Sequence, residues 1–302
     1  MKDIKDMKDI SEFTNKVICG DSQEIMKTMP EDSVNLVITS PPYFGCRVYG
    51  NETVGREEDP RDYVDKIVDF TRDIKRVLRP DGSFYLNIGD VYYGTKAGFK
   101  GFKGKASRKT HKHYEGRTII EPDGKYLQNK QLLLLPTRIA AKMQDEGWIL
   151  RNTIIWKKNN AMPVPAPDRF LPTYEYIFFF AKSGDYYFDL KQSKKSLFNG
   201  KDVFTVNIEP FGKHQATFPR QLVYPIISTS SKEGDIVMDP FGGSGTTGCV
   251  AKYHGRKFIL LEINENSCKD ARQELSETCS FTKPLSEDNS EEVIIENSIF
   301  GI

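Results

Sequence analysis

The segment Asp235-Ile-Val-Met-Asp-Pro-Phe-Gly-Gly-Ser-Gly-Thr-Thr-Gly248 decides the fold class. A short apolar run, Ile236 to Met238, enters a glycine-rich turn, and Cys249, Val250 and Ala251 continue as the apolar start of a helix. Strand, tight turn and helix start coincide. Glycines at 242, 243 and 245 allow positive φ and let the backbone approach a ligand closely. The next apolar run, Phe258 to Ile263, carries Glu262 about 20 residues past the first glycine, where a Rossmann-type site places its ribose-binding carboxylate. A glycine turn alone fits a bare chain reversal equally well; together with Glu262 it describes a nucleoside site.

Which nucleoside follows from the loop itself. A dinucleotide site carries G-x-G-x-x-G so that the helix N-terminus can hold pyrophosphate, whereas here Phe-Gly-Gly-Ser-Gly follows Asp239-Pro240. A carboxylate beside the loop repels phosphate and attracts the ammonium of a methionine moiety, and Phe241 offers an apolar wall. That combination favours S-adenosylmethionine over NAD.

Outward from this motif, short apolar runs alternate with helical patterns: Lys16 to Cys19, Val34 to Thr39, Ser83 to Ile88, Trp148 to Trp156 and Tyr174 to Ala181. Such alternation predicts βαβ units in a doubly wound, mostly parallel α/β sheet. Tyr63, Ile67, Phe70, Ile74 and Val77 recur at helical intervals until Arg79-Pro-Asp-Gly82 supplies a stop and turn. The first dozen residues repeat Met-Lys-Asp-Ile and predict a frayed or loosely helical arm over 1–15, ahead of a catalytic domain over 16–278. A polar tail follows over 279–302, in which Val293-Ile-Ile295 could add an edge strand.

The 302 residues suffice for one large α/β domain with insertions. The 43 basic and 42 acidic residues nearly cancel, so a polyanionic partner must be met by local clustering. Five scattered cysteines without CxxC spacing or a secretory leader read as reduced thiols of a cytoplasmic protein. No apolar run approaches the roughly 20 residues that span a bilayer, so no membrane association is expected.

The run Val34-Asn-Leu-Val-Ile-Thr-Ser-Pro-Pro-Tyr43 is a buried-type strand that stops abruptly. Two prolines end the ladder and stiffen the turn. Since open α/β sheets keep their sites at the carboxyl ends of strands, Ser40, Pro41, Pro42 and Tyr43 would be held at the crevice. Taken alone, the motif reads first as a proline-stiffened loop exit.

Thr39-Ser-Pro-Pro-Tyr43 together with Asp239-Pro-Phe-Gly-Gly-Ser-Gly-Thr-Thr247 resembles the amino-group DNA methyltransferases of restriction–modification systems. The catalytic motif precedes the cofactor motif, which resembles their circularly permuted β-class order. The likeness runs from about Val17 to Leu275 through Gly20-Asp21, Asp81-Gly-Ser-Phe84, Ile154-Ile-Trp-Lys157, Asp168-Arg-Phe170 and Thr217-Phe-Pro-Arg220. It implies that Glu262 binds the ribose hydroxyls of S-adenosylmethionine and Asp21 its adenine amino group. Asp239, Pro240, Phe241, Gly242, Gly243, Ser244, Gly245 and Thr246, with Phe218, would surround the methionine part. Ser40, Pro41 and Tyr43 would handle the target base, Tyr43 by stacking. A serine at the head of the motif, where adenine-N6 enzymes more often carry Asp, points by the family's usual association to N4 of cytosine; its hydroxyl can accept from N4–H and donate to ring N3, although adenine offers a like acceptor at N1. The other readings are an adenine-N6 methyltransferase and, in a different class, a non-catalytic nucleotide- or DNA-binding protein.

The stretch 95–130 is basic, rich in glycine and interleaved with Phe99, Phe102, His111, His113 and Tyr114. Lys100, Lys103, Lys105, Arg108, Lys109 and Lys112 are the candidate contacts to double-stranded DNA, against the ordinary alternative of a solvated loop. His111 and His113 lack a companion set of ligands, and no metal is expected. Residues 191–211 lie where the family usually carries target recognition, but the segment is short, so recognition would be shared with the basic stretch. A cognate restriction endonuclease and a monomer or homodimer are compatible with all of this.

Overall fold

The computed structural model describes residues 8–45, 54–93, 121–161, 163, 166–208 and 219–277. Among the described residues eight strands form one sheet: β1 (Lys16–Cys19), β2 (Val34–Thr39), β3 (Leu78–Ile88), β4 (Ile149–Lys157), β5 (Tyr174–Ala181), β6 (Val203–Thr205), β7 (Ile236–Asp239) and β8 (Lys257–Glu262). Seven helices accompany them: α1 (Ser22–Thr28), α2 (Pro60–Val77), α3 (Leu135–Asp145), α4 (Leu190–Lys195), α5 (Arg220–Ser230), α6 (Thr246–Tyr253) and α7 (Glu265–Glu277).

The strand order is β1-β8-β7-β2-β3-β5-β4-β6. Neighbours are parallel except where β5 pairs antiparallel with β3 and β4. Outward from β7 the sheet passes to β8 and β1 on one side and to β2 and β3 on the other. β7 and β2 therefore flank the switch point, where the crevice of an open α/β sheet lies. The strand carrying the glycine loop is central although it comes late in the chain, which is the permuted arrangement.

Alternating side chains divide the core between the two faces of the sheet. Val37, Phe84, Leu86, Phe178, Phe180, Met238 and Leu261 pack with α1, α2 and α3. Leu36, Ile38, Tyr85, Ile177, Phe179, Val237 and Leu260 pack with α5, α6 and α7. α2 has Asp59 as its cap, Pro60 in its first turn, and Tyr63, Ile67, Phe70, Ile74 and Val77 on its buried stripe. Arg79 to Gly82, expected as a turn, is taken into β3 as an irregularity: Val34 pairs with Leu78, and Leu36 with Ser83. The extra residues bulge out of β3, and Val34 and Leu36 pack in different parts of the core.

Residues 8–15 are the described part of the arm expected over 1–15. Ile10–Glu12 forms a 3₁₀ turn, Phe13 is buried, and Asn15 bonds Phe258 through both its amide N–H and its side-chain oxygen. The segment 191–211 divides into α4, the edge strand β6 and residues 209–211, which lie outside the described residues. The tail 279–302, with Val293-Ile-Ile295, and most of the basic stretch also lie outside them. Among the described residues no helix is long and apolar enough to cross a membrane.

Candidate active site

Four neighbouring strands, β1, β8, β7 and β2, deliver the sequence motifs to one edge of the sheet. β7 ends in Asp239, which is only 2 % exposed. Its Oδ1 accepts from Thr39 Oγ1 at 2.6 Å and from the Phe241 amide at 3.0 Å, and its Oδ2 accepts from Thr247 Oγ1 at 2.7 Å. Both oxygens are thus engaged within the protein, and the carboxylate ties the glycine loop to the end of β2. Burial raises its pKa to about 6 against these three donors, with the nearby Glu262 adding to the rise. Pro240 is buried and accepts from Ser22 Oγ at 2.5 Å, while Phe241 packs its ring 4.8 Å from that of Phe70.

Gly245 caps α6 with φ +94°, and a Cβ there would lie 3.2 Å from Ala271. Only a glycine accommodates both the left-handed backbone and the close approach of α7. Glu262 ends β8 with 9 % exposure. Oε2 accepts from the Gly243 amide at 2.9 Å and Oε1 from the Asn264 amide at 2.8 Å. Asp21 is exposed at the end of β1 and caps α1, with Oδ1 accepting from the amides of Gln23 and Glu24. Gly242, Gly243, Ser244 and Thr246 complete the loop; Phe218 lies outside the described residues.

At the end of β2, Pro41 is buried and Ser40, Pro42 and Tyr43 are half-buried. The Pro42 carbonyl accepts from Tyr63 on α2 at 3.0 Å, which fixes the turn from below. Tyr43 lies against the backbone of Gly89: a Cβ there would come 2.8 Å from Tyr43 Cε2. Ser40 Oγ donates to the Tyr43 hydroxyl at 3.3 Å, which donates in turn to Glu175 Oε2 at 2.7 Å. Donation from Ser40 to ring N3 of a base, expected above, would therefore compete with the bond to Tyr43; toward a base Ser40 stands first as an acceptor. Burial, and then the Glu175 charge, push the Tyr43 phenol well above its ordinary pKa, so it remains a neutral donor.

Glu175 and its partner Lys158 are the functional candidates that the sequence did not single out. They form an ion pair through Oε1 and Nζ, with Lys158 4.3 Å above the Trp156 ring. Asn87, at the end of β3, donates to Glu175 Oε2 at 3.3 Å and to the Tyr176 carbonyl at 3.1 Å. No local motif marks these residues; the only signal available was two charged side chains bounding apolar strands.

Lys100, Lys103, Lys105, Arg108, Lys109 and Lys112 lie outside the described residues, but the roots of their segment do not. The Tyr93 amide donates to the Gln131 carbonyl at 2.8 Å, the Lys130 amide to the Tyr93 carbonyl at 3.1 Å, and Tyr92 bridges to Leu132. Both roots therefore meet just beyond the carboxyl end of β3, next to the strand that carries Ser40. Among the described residues no His, Cys, Asp and Glu cluster could hold a metal.

The site's chemistry suits a cationic nucleoside: two buried carboxylates, Asp239 and Glu262, border a glycine loop that presents no basic side chain to a phosphate. Comparison with known proteins agrees. The model of a DNA methylase family matches residues 34–273. The Type II methyltransferase M.XycI of Xanthomonas campestris pv. cyanopsidis is 38 % identical over 254 residues, covering 81 % of this chain and 82 % of that protein. M.SmaI of Serratia marcescens is 35 % identical over 271 residues, covering 86 % and 90 %. Among solved structures, the cytosine-N4-specific PvuII DNA methyltransferase superposes with a TM-score of 0.64 at 23 % identity over 86 % of this chain and 87 % of its own, a likeness of fold. A putative DNA modification methylase of Thermus thermophilus, solved in complex with S-adenosyl-L-methionine, gives 0.59 at 25 % identity over 87 % and 93 %.

Proposed function

The chain belongs to the DNA methylase family, and on that premise we propose that it methylates the exocyclic N4 of a flipped-out cytosine in duplex DNA, protecting host DNA within a Type II restriction–modification system. It is a DNA methyltransferase that uses S-adenosylmethionine. The observation that carries the reading is the 2.6 Å bond between Thr39 and Asp239, which locks the strand ending in Ser40 to the glycine loop. Cofactor loop and target-base turn are thereby parts of one rigid crevice.

The cofactor supplies an electrophilic methyl group on a sulfonium centre. Glu262, already oriented by two amides, has lone pairs left for the ribose hydroxyls, and the adenine amino group is assigned to Asp21. Asp239 acts on the methionine part chiefly by holding the loop, since its oxygens are occupied. The amino nitrogen of a base is a weak nucleophile because its lone pair is delocalised into the ring. Ser40 Oγ and the Pro41 carbonyl draw out its N–H hydrogens, at about 0.5–1.5 kcal/mol for each hydrogen bond. Fixing the nitrogen in line with the methyl group is worth more, ~7–11 kcal/mol of the barrier. Flipping the base costs a few kcal/mol, and stacking on Tyr43 offsets roughly 1–3 kcal/mol of that.

Serine in place of a carboxylate supports cytosine over adenine. Recognition is assigned jointly to 191–211 and to the basic segment rooted at Tyr93 and Lys130. Expression in a host without methylation of its own, followed by modification-sensitive sequencing of its DNA, tests this. N4-methylcytosine at one short sequence is the expected result. N6-methyladenine there would move the assignment to the other base, and the absence of any new mark would contradict it.

A further inference from the structure

The hydrogen bonds that join Ser40, Tyr43 and Glu175 all point one way. Ser40 donates to Tyr43 at 3.3 Å, and Tyr43 donates to Glu175 Oε2 at 2.7 Å. Asn87 Oδ1 is a competing acceptor for the single phenolic proton, but at 3.3 Å and without charge. The shorter, charge-assisted bond to Glu175 prevails. Beyond Glu175 stands the ammonium of Lys158, and the two side chains are only 16 % and 14 % exposed. A buried ion pair is a poor source of stability, because desolvation offsets its attraction. Stacking a base on Tyr43 needs the ring alone; a phenylalanine would serve. Neither stability nor stacking accounts for a hydroxyl that links Ser40 to a paired carboxylate.

We propose that Ser40, Tyr43 and Glu175 form a proton relay that carries the amino proton of the target base out of the crevice. It rests on the reading of Ser40 as the acceptor facing that base. As the exocyclic nitrogen gains its methyl group, one N–H bond breaks and its electron pair remains on nitrogen. Ser40 Oγ takes the proton and passes its own to the Tyr43 oxygen, which passes its own to the Glu175 carboxylate. Both hydroxyls end as neutral as they began. The net change is a neutral acid at Glu175, and the positive charge that arrived with the methyl group is left on Lys158. Glu175 then returns the proton to solvent through its exposed fraction. Tyr43 and Glu175 act through Ser40 and do not touch the base nitrogen themselves.

Two variants of the full-length protein separate relay from packing. Tyr43→Phe keeps the ring, and Glu175→Gln keeps an acceptor for the tyrosine. Methylation of duplex DNA is followed in a single turnover with excess enzyme, between about pH 6 and 9, beside calorimetric binding of S-adenosylmethionine and gel-shift binding of DNA. A relay slows each variant about 100-fold near neutral pH, the range of general acid–base assistance. The rate then climbs with pH as hydroxide from solvent takes over, and the double variant is no slower than the slower single one. Both affinities stay unchanged. The other titratable groups near the relay are Tyr63 beside Tyr43, Lys158 just past β4, Tyr174 and Tyr176 on β5 with Asp90 beyond, and none of them is altered by the substitutions. Either variant with the wild-type rate and pH profile overturns the relay, as does a loss of rate matched by a loss of affinity. Wild-type protein that methylates no DNA would instead sink the functional reading.

Discussion

Glu262 holds one oxygen on the Gly243 amide and the other on the Asn264 amide, so the orientation of the carboxylate proposed to bind the ribose is set before a ligand arrives. Glu262→Ala should weaken S-adenosylmethionine by about 1.5–3 kcal/mol, the worth of hydrogen bonds to a charged group, and DNA binding far less. Calorimetry reads both, and an unchanged cofactor affinity would place the pocket elsewhere. Asp239 gives a pH signature. Its folded pKa of about 6 exceeds the ordinary 3.8, so between these values the folded protein keeps a proton that the unfolded chain has released. Its contribution to stability therefore falls as pH rises from about 4 to 6, by on the order of 3 kcal/mol. Urea unfolding of wild type and Asp239→Asn at pH 4.5 and 7 should show that slope in the wild type and lose it in the variant; parallel curves would refute the cause assigned. Asp239 and Ser40 were legible because each sits inside a motif of consecutive residues, and Glu262 because it ends the next apolar run about 20 residues past the first glycine. Glu175 was not, since its partner Tyr43 is 132 positions away and only the pairing of β5 with β3 brings the two together.

At the scale of elements, α2 could be read from its apolar stripe and from Asp59-Pro60 at its start. α3 could not, because its N-terminus carries no cap of its own. Leu134 precedes it in a left-handed conformation, and Asp90, at the end of β3, accepts from the Leu135 amide at 3.1 Å. A cap borrowed from another element leaves no local trace in the sequence. The glycine loop did leave one, and Gly245→Ala tests it. A side chain at φ +94°, 3.2 Å from Ala271, should cost roughly 1–2 kcal/mol for the left-handed backbone alone. Thermal unfolding should shift down by about 2–8 °C. An unshifted midpoint would show that the loop yields freely. For the basic segment, replacing Lys100, Lys103, Lys105 and Lys109 together should weaken binding to all DNA and flatten its dependence on salt, because fewer counterions are released. An unaltered salt slope would return the segment to a solvated loop.

For the whole molecule, alternating apolar runs were enough to expect a doubly wound sheet, and the resemblance carried by the two motifs in their order implied its permutation. The seating of the strands was not available to the same reasoning. β5 reads in sequence like any other buried strand, and nothing local tells it to run antiparallel between β3 and β4. β6 is a three-residue edge strand that joins the sheet only through its register with Ile155 to Lys157. The sheet order brings four strand ends together at the switch point, and the basic segment to which we assign DNA contact is rooted beside them. The most direct measurement of methyl transfer to an amino group is incubation of unmodified duplex DNA with methyl-labelled S-adenosylmethionine, digestion to nucleosides and separation by mass. Label should appear in N4-methyldeoxycytidine. Label in 5-methyldeoxycytidine, whose formation needs a cysteine nucleophile that the Ser40 to Tyr43 turn lacks, or no label in DNA at all, would contradict it.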